Sequence, residues 1–522
     1  EYQDTENDES VNLDFNVIVG DANRYFLIEG NIDSEDQLYT MLEMQITPSL
    51  KNTFSYRRYV HNLGHDYMDH LQFRETVDPS TNQPGGKMTT HEDMDPYGEY
   101  SVVVSDMSNV LEFDMGDHVT VDWSFNQLSR EGHKQTRSIN HCAMCHVVAR
   151  RTRVDEQTRE QSVGLAIAFE KFRMMYRFIS SEFTNFVASP KNFYEQARHP
   201  VKGDTEEEFA SRTNFENQEL NYAVVPDSRK QSHIAKFAGN LTQSSSVVGQ
   251  ISLTNTKNKD QNLELDTQYG AVKWSYRPQE SKWCVDMTFS RDKLENDPIF
   301  IDLPAWREGR GGGGQDFDWT RYSAYDREVT VGKVRTAYAI NKNNTLSFNY
   351  RFKSVDRDYL EIEQDTYETE SQHNRFTVAW NGKTETMRGK VSVEYETIDV
   401  PFANKSAICE REHQYDDLLP DNGKFYYFQR ERQADASNQP SDSLKVNALF
   451  TLFQSPKFSM NVQGSFQDQK NDNLKYYQWD RDMMVAGFNM FALPSNQTVF
   501  SAGYNYMMVE SNAMFCVPVM DG

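Results

Sequence analysis

Apolar residues recur at every second position over much of this chain. Leu13, Phe15, Val17 and Val19 start the pattern. Met44 and Ile46 continue it, and Phe54 and Tyr56 follow across the turn Pro48-Ser49-Leu50-Lys51. After a long polar stretch from His61 to Gly98, Tyr100 to Val104 resumes a strand, and Val119, Val121, Trp123 and Phe125 form another. Leu165, Ile167 and Phe169 then lead through a tight turn at Glu170-Lys171 into Phe172, Met174, Tyr176 and Phe178. Period two is the signature of strands with one face against an apolar medium. About twenty strands are predicted this way. Near the N-terminus Val11 to Ile32 reads equally as one kinked strand or two.

The connections alternate in length. Hairpin turns are predicted near Gln243-Ser244-Ser245, Pro278-Gln279-Glu280, Asn341 to Asn344, Asn381-Gly382-Lys383, Ser455-Pro456 and Pro494-Ser495-Asn496. Long polar segments lie between them, including Asp292 to Arg327 with its run Gly311 to Gly314, Val355 to His373, and Ile398 to Ser441. A β-sandwich has modest loops at both ends. Short turns at one end and long loops at the other instead define a transmembrane β-barrel, whose turns are periplasmic and whose loops are extracellular. Runs such as Leu346 to Phe352 and Val499 to Met507 approach the length that crosses a bilayer at a tilt. Closure also removes the exposed edges of so many strands. The expected fold is thus all-β, a large antiparallel transmembrane barrel spanning residues 1–522 as one domain. Its last residues, Cys516 to Gly522, lack the usual terminal aromatic strand and read as a truncated C-terminus.

Composition agrees. Hydrophobic residues make up only 38% of the chain while 32 Phe and 27 Tyr supply a large aromatic share, a poor match to a soluble core rich in Leu, Ile and Val. No apolar run reaches the length of a transmembrane helix. A net charge of −24 argues against nucleic acid as a partner. The polar start Glu1-Tyr2-Gln3-Asp4 reads as a mature end after export.

One stretch carries candidate chemistry: His141-Cys142-Ala143-Met144-Cys145-His146. It contains C-x-x-C-H, the spacing that lets two thiols add to haem vinyl groups while the next histidine takes the iron. Cys142 and Cys145 would tether haem c, and His146 would be the proximal ligand. Two other readings stay open at this point. His141, Cys142, Cys145 and His146 form a possible Cys2His2 zinc set, and the two thiols alone can form a local disulfide. Cys284, Cys409 and Cys516 are too scattered for a disulfide framework. Residues 128–163 are polar, lack alternation, and are expected to form a haem-binding loop between strands, emerging on the outer side. Eight of the 12 histidines precede residue 147: His61, His65, His70, His91, His118, His133, His141 and His146. Among them His133 or His118 is a candidate sixth ligand, and a neighbouring chain can equally provide it, since His141 is too close to Cys142 to reach the opposite face.

The alternating strands, the segment Ser138-Ile139-Asn140-His141-Cys142-Ala143-Met144-Cys145-His146-Val147-Val148, and the ending Phe500 to Tyr506 together resemble the MtrB/PioB-type decahaem-associated outer-membrane porins. The resemblance implies a barrel in the bacterial outer membrane that sheathes a periplasmic multihaem cytochrome and passes electrons toward a surface multihaem cytochrome. It implies no enzyme. This chain departs from the best-known members, which carry a plain C-x-x-C close to the N-terminus and no histidine after it. A different function class remains: a passive diffusion porin with an acidic, cation-preferring lumen, in which the cysteine segment is a disulfide or zinc staple. No basic ladder that would weaken the cation preference is legible in the chain. The loops at residues 61–98, 184–231 and 398–441 are candidates for docking a surface cytochrome.

Overall fold

The computed structural model describes residues 12–21, 23–68, 77–78, 83–84, 90–139, 146–194, 218–301, 319–321, 326–356, 370–399, 440–455, 457–471, 479–495 and 498–513. Twenty strands form one antiparallel meander in which each pairs with the next in sequence. In chain order they are β1 (Leu13–Gly20), β2 (Tyr25–Ser34), β3 (Gln37–Thr47), β4 (Leu50–Asn62), β5 (Ser101–Met115), β6 (Val119–Ile139) and β7 (His146–Ala168). Then come β8 (Phe172–Asn185), β9 (Ser228–Thr242), β10 (Ser245–Asn258), β11 (Leu263–Tyr276), β12 (Trp283–Asn296), β13 (Arg327–Asn341) and β14 (Asn344–Asp356). The meander ends with β15 (Glu370–Lys383), β16 (Met387–Asp399), β17 (Asp442–Ser455), β18 (Phe458–Lys470), β19 (Trp479–Ser495) and β20 (Thr498–Ala513). Val11 to Ile32 is two strands, joined at Gly20 to Tyr25.

Every link from an odd to the following even strand is a short turn, and these turns share one end of the sheet. The long connections between β4 and β5, β8 and β9, β12 and β13, β14 and β15, and β16 and β17 all lie at the other end. The alternation of short turns at one end and long connections at the other, predicted from turn chemistry, is thus the arrangement of the structure.

The register explains why alternate residues are apolar. Phe348, Val378, Val393, Val446, Phe466, Met484 and Met508 are successive cross-strand partners from β14 to β20. Paired residues share a face, so these side chains form one continuous row, and all but Val446 are exposed. A second row, Val334, Tyr350, Phe376, Tyr395 and Leu444, lies beside it. One residue out of phase, on the opposite face, run Asn349, Thr377, Glu394, Lys445 and Gln467. An apolar outer belt around a polar inner face is the arrangement a bilayer demands of a closed sheet. No helix is long and apolar enough to cross a membrane.

Two expectations need correction. Residues 128–163 are not a loop: 128–139 belong to β6 and 146–163 to β7, which pair along their whole length. The inner face also carries a basic ladder. Lys333, Arg351 and Arg375 are direct cross-strand partners on β13, β14 and β15. These residues are far apart in sequence, and only the register brings them into a row.

The belt yields a test. Val393→Arg places a charge in the outer row and should lower barrel stability in lipid vesicles by about 2–4 kcal/mol. Thr377→Arg, on the inner face beside Glu394, should shift the urea midpoint far less. Equal losses for the two variants would reverse the assignment of faces.

Candidate functional site

β6 and β7 have 21 and 23 residues, longer than any other strand of the meander. β5 pairs with β6 only as far as Val102 opposite Gly132. β8 pairs with β7 only as far as Asn185 opposite Glu156. Past those points the two long strands pair with each other, from His133 opposite Arg153 to Ile139 opposite Val147, and no other strand of the meander joins them. At roughly 3.3 Å per residue this hairpin continues for about 20 Å beyond its neighbours, at the long-loop end. Gly132 marks the departure. Its φ is +154°, and a Cβ there would lie 2.1 Å from the carbonyl oxygen of Ser101, so glycine alone fits.

The extension is packed rather than free. Eight of the twelve buried hydrophobic residues among those described lie around it: Met68, Tyr100, Val102, Val104, Val148, Ala149, Val154 and Tyr222. Val102, Val104 and Val154 form a cluster with Tyr59 and Leu63 against them. The β4–β5 connection folds over the hairpin. Its short strand Thr90–Asp93 adds in parallel to His146–Ala149, and the amide of Met94 donates to the Ala149 carbonyl at 3.0 Å. Gln135 donates to the Asp66 carbonyl at 2.8 Å and accepts from its amide at 3.1 Å, while Arg137 pairs with the Asp66 carboxylate at 2.6 Å. Asp95 accepts from the Arg151 amide at 2.7 Å. From the β8–β9 connection, Tyr222 reaches Thr136.

Inside this cap three buried polar atoms have no hydrogen-bond partner among the described residues: His91 Nδ1, Tyr100 Oη and Ser138 Oγ. Buried polar groups are ordinarily satisfied, so three orphans in one small region mark it out. His91 is the ladder partner of Val147 and Ser138 that of Val148, so two of the three sit within two residues of His146. Beside them His65 Nε2 meets Asp93 Oδ2 at 2.5 Å, with both side chains mostly covered. The His65 ring packs edge-on to Tyr100 with centroids 4.8 Å apart. Burial, reinforced by Asp93 and Asp95, raises the Tyr100 phenol above its ordinary value and keeps it a neutral donor. Burial, then Arg151 and Arg153, lowers the His133 imidazole.

The predicted haem residues fall differently. Cys142, Cys145 and His141 lie outside the described residues. His146 opens β7, level with Thr90. His133 is seven ladder positions away, about 23 Å along the strand, and its Nδ1 is met by Arg151 Nη2 at 3.2 Å. That separation exceeds what two imidazoles on one iron can span. His118 is further still. It sits in the β5–β6 turn at the short-turn end, where its carbonyl accepts from the Ala168 amide and its ring stacks near Phe169. All of β6, about 70 Å of strand, separates it from residue 140. Neither is placed to ligate with His146. The histidines brought close are His91 and His65. The clustering of histidines before residue 147 signalled them, but the parallel pairing of Thr90–Asp93 with β7 was needed to select them. Among the described residues no group of three or more His, Cys, Asp or Glu is set to hold a metal ion.

An even-stranded antiparallel meander with an apolar outer belt, a polar inner face and one-sided long loops defines an integral outer-membrane β-barrel. No protein-family model matches the chain, and no curated protein matches it. Among solved structures, the chain aligns with the ferric-catecholate import receptor Fiu from K12 E. coli at 9% identity, covering 96% of this chain and 79% of that one, with a TM-score of 0.40. It aligns with the siderophore receptor PiuA from Acinetobacter baumannii at 11% identity, over 95% and 80% of the two chains, with a TM-score of 0.42. With the copper transporter OprC the values are 9%, 95% and 71%, and a TM-score of 0.46. At these values no cargo or partner carries over to this chain.

Two tests address the cap. His133 has a folded-state pKa below its ordinary 6.5, so its contribution to stability is complete above that pH. As pH falls through 6.5 the opened extension takes up a proton that the packed one resists, and the packing weakens. Protection of the amides at residues 133–139 and 147–153, corrected for the intrinsic slowing of exchange at lower pH, should therefore fall between pH 7.5 and 5.5 in the wild type and respond less in His133→Gln; identical pH slopes would exclude His133 as the cause. Separately, Gly132→Ala should cost about 1–3 kcal/mol, read as faster proteolysis within the extension while the barrel stays folded.

Proposed function

We infer that this barrel is the porin component of a porin-cytochrome conduit and that its β6–β7 hairpin carries one haem c at the long-loop mouth. The observation that supports this most directly is the cap. Eight of the twelve buried hydrophobic residues among those described lie around the two strands that flank the C-x-x-C-H segment in sequence, with polar groups that have no partner among the described residues.

In this reading Cys142 and Cys145 form the thioether links, and His146 is the proximal ligand. His133 and His118 are too distant for the sixth position, and His91, the ladder partner of Val147, faces the other side of the sheet from His146, so a neighbouring chain supplies the sixth ligand. Bound haem supplies reversible one-electron chemistry at the mouth of the barrel. The chain's own residues fix the hairpin through Asp66, Gln135 and Arg137, and exclude water with Val148, Ala149 and Tyr100. The outer belt separates the lumen from lipid, and the polar inner face suits a periplasmic multihaem cytochrome inside or below the barrel. A surface multihaem cytochrome would dock at the long-loop end. The zinc alternative uses His141, Cys142, Cys145 and His146.

The exported full-length protein, freed of any cytochrome, should show a haem-staining band that survives denaturation and disappears in Cys142→Ala, Cys145→Ala. His91→Ala should keep that band and leave its reduced and oxidised spectra unchanged. Exported wild type without covalent haem, or with a stoichiometric zinc ion instead, would end the haem assignment.

A further inference from the structure

The inner wall near the long-loop mouth holds a second cluster that owes nothing to the cysteine segment. Lys333, Arg351 and Arg375 stand side by side on β13, β14 and β15. Like charges directly opposite each other in a sheet are destabilising, yet here three cations are adjacent. Two residues toward the mouth, Lys353 lies opposite His373. From β17, Lys445 faces the same space opposite Glu394. Together with neighbouring residues of β15 to β18 these groups, Lys333 excepted, line a cavity of about 420 Å³.

Its carboxylates are already engaged. Arg375 takes Glu396 at 2.7 Å and Glu394 at 3.7 Å, and Thr377 also donates to Glu394. Arg351, by contrast, has no hydrogen bond or ion pair among the described residues, and its Nε is buried and unsatisfied, as is that of Arg375. A guanidinium held between two other cations, partly withdrawn from water, and aimed at an open cavity is electrostatically incomplete. An anion is the group that would complete it.

We propose that this cavity is a binding station for a small oxyanion of the phosphate or carboxylate type, held by Arg351 with Lys353, Arg375 and Lys445 around it. The planar fork of Arg351 accepts two oxygens of one oxyanion. The occupied Glu394 and Glu396 close the far side and leave room for a small solute. In a chain of net charge −24 the station makes the mouth locally anion-attracting, as rings of Arg and Lys do in anion pores. It requires neither haem nor a cytochrome and stands apart from the function proposed above.

The test uses the full-length barrel in detergent micelles with inorganic phosphate as the probe, titrated calorimetrically and by thermal shift against sodium chloride of matched ionic strength. Saturable phosphate binding with a raised unfolding temperature, weakened at least tenfold in Arg351→Gln and several-fold in Lys353→Gln, is the expected result. Arg351→Lys should fall between, keeping the charge and losing the fork. Because relief of the cationic row favours the empty barrel, Arg351→Gln should also unfold at a higher temperature than wild type in phosphate-free buffer, which separates lost binding from lost folding. The proposal is overturned if phosphate does no more than chloride, if Arg351→Gln binds as the wild type does, or if only an acidic polypeptide is held there.

Discussion

Backbone pairing without water is the constraint on which this structure rests. In lipid each strand's N–H and C=O groups must be met by the next strand, and a meander of sequential neighbours meets them with the shortest links. Once that pairing is set, alternation assigns each residue to an outer or inner face, and a slip of one position would invert the whole assignment. The apolar row from Phe348 to Met508 is seven strands agreeing on one register. The glycine at 132, the tight odd-to-even turns and the long loops are arranged around that agreement.

Where the chain leaves the membrane, the rule relaxes and different physics takes over. The β6–β7 extension keeps its ladder hydrogen bonds but has no lipid to face. Its stability comes from burial under the β4–β5 and β8–β9 connections and from side-chain ties such as Asp66 with Gln135 and Arg137. A wet, two-sided hairpin of this kind needs a cover to be rigid. The cover in turn buries polar atoms of His91, Tyr100 and Ser138 that have no hydrogen-bond partner among the described residues, which is why the cap is the candidate site.

The inner wall follows a third logic. Its charges are spaced by the register of neighbouring strands, so groups distant in sequence become contacts. Arg177 with Asp122 and Arg375 with Glu396 are compensated pairs of this origin, and Arg351, between Lys333 and Arg375, is uncompensated among the described residues. A net negative chain can thus present a positive patch at one end of its lumen.

By itself the sequence determined the strand-forming segments, their apolar faces, most of the turns and the end at which the cysteine segment emerges, because period-two alternation and turn residues are local properties. It did not reveal that residues 128–139 and 146–163 are strands, because outside the bilayer neither face of a strand has to be apolar and the periodic signal vanishes while the ladder persists. Nor could it choose among eight histidines. His133 and His118 are near residue 146 in sequence but far along a fully extended hairpin, whereas His91 is distant in sequence and adjacent through a parallel pairing. The basic row was equally hidden. Which residues face one another across a sheet is decided by register, and register belongs to the assembled fold.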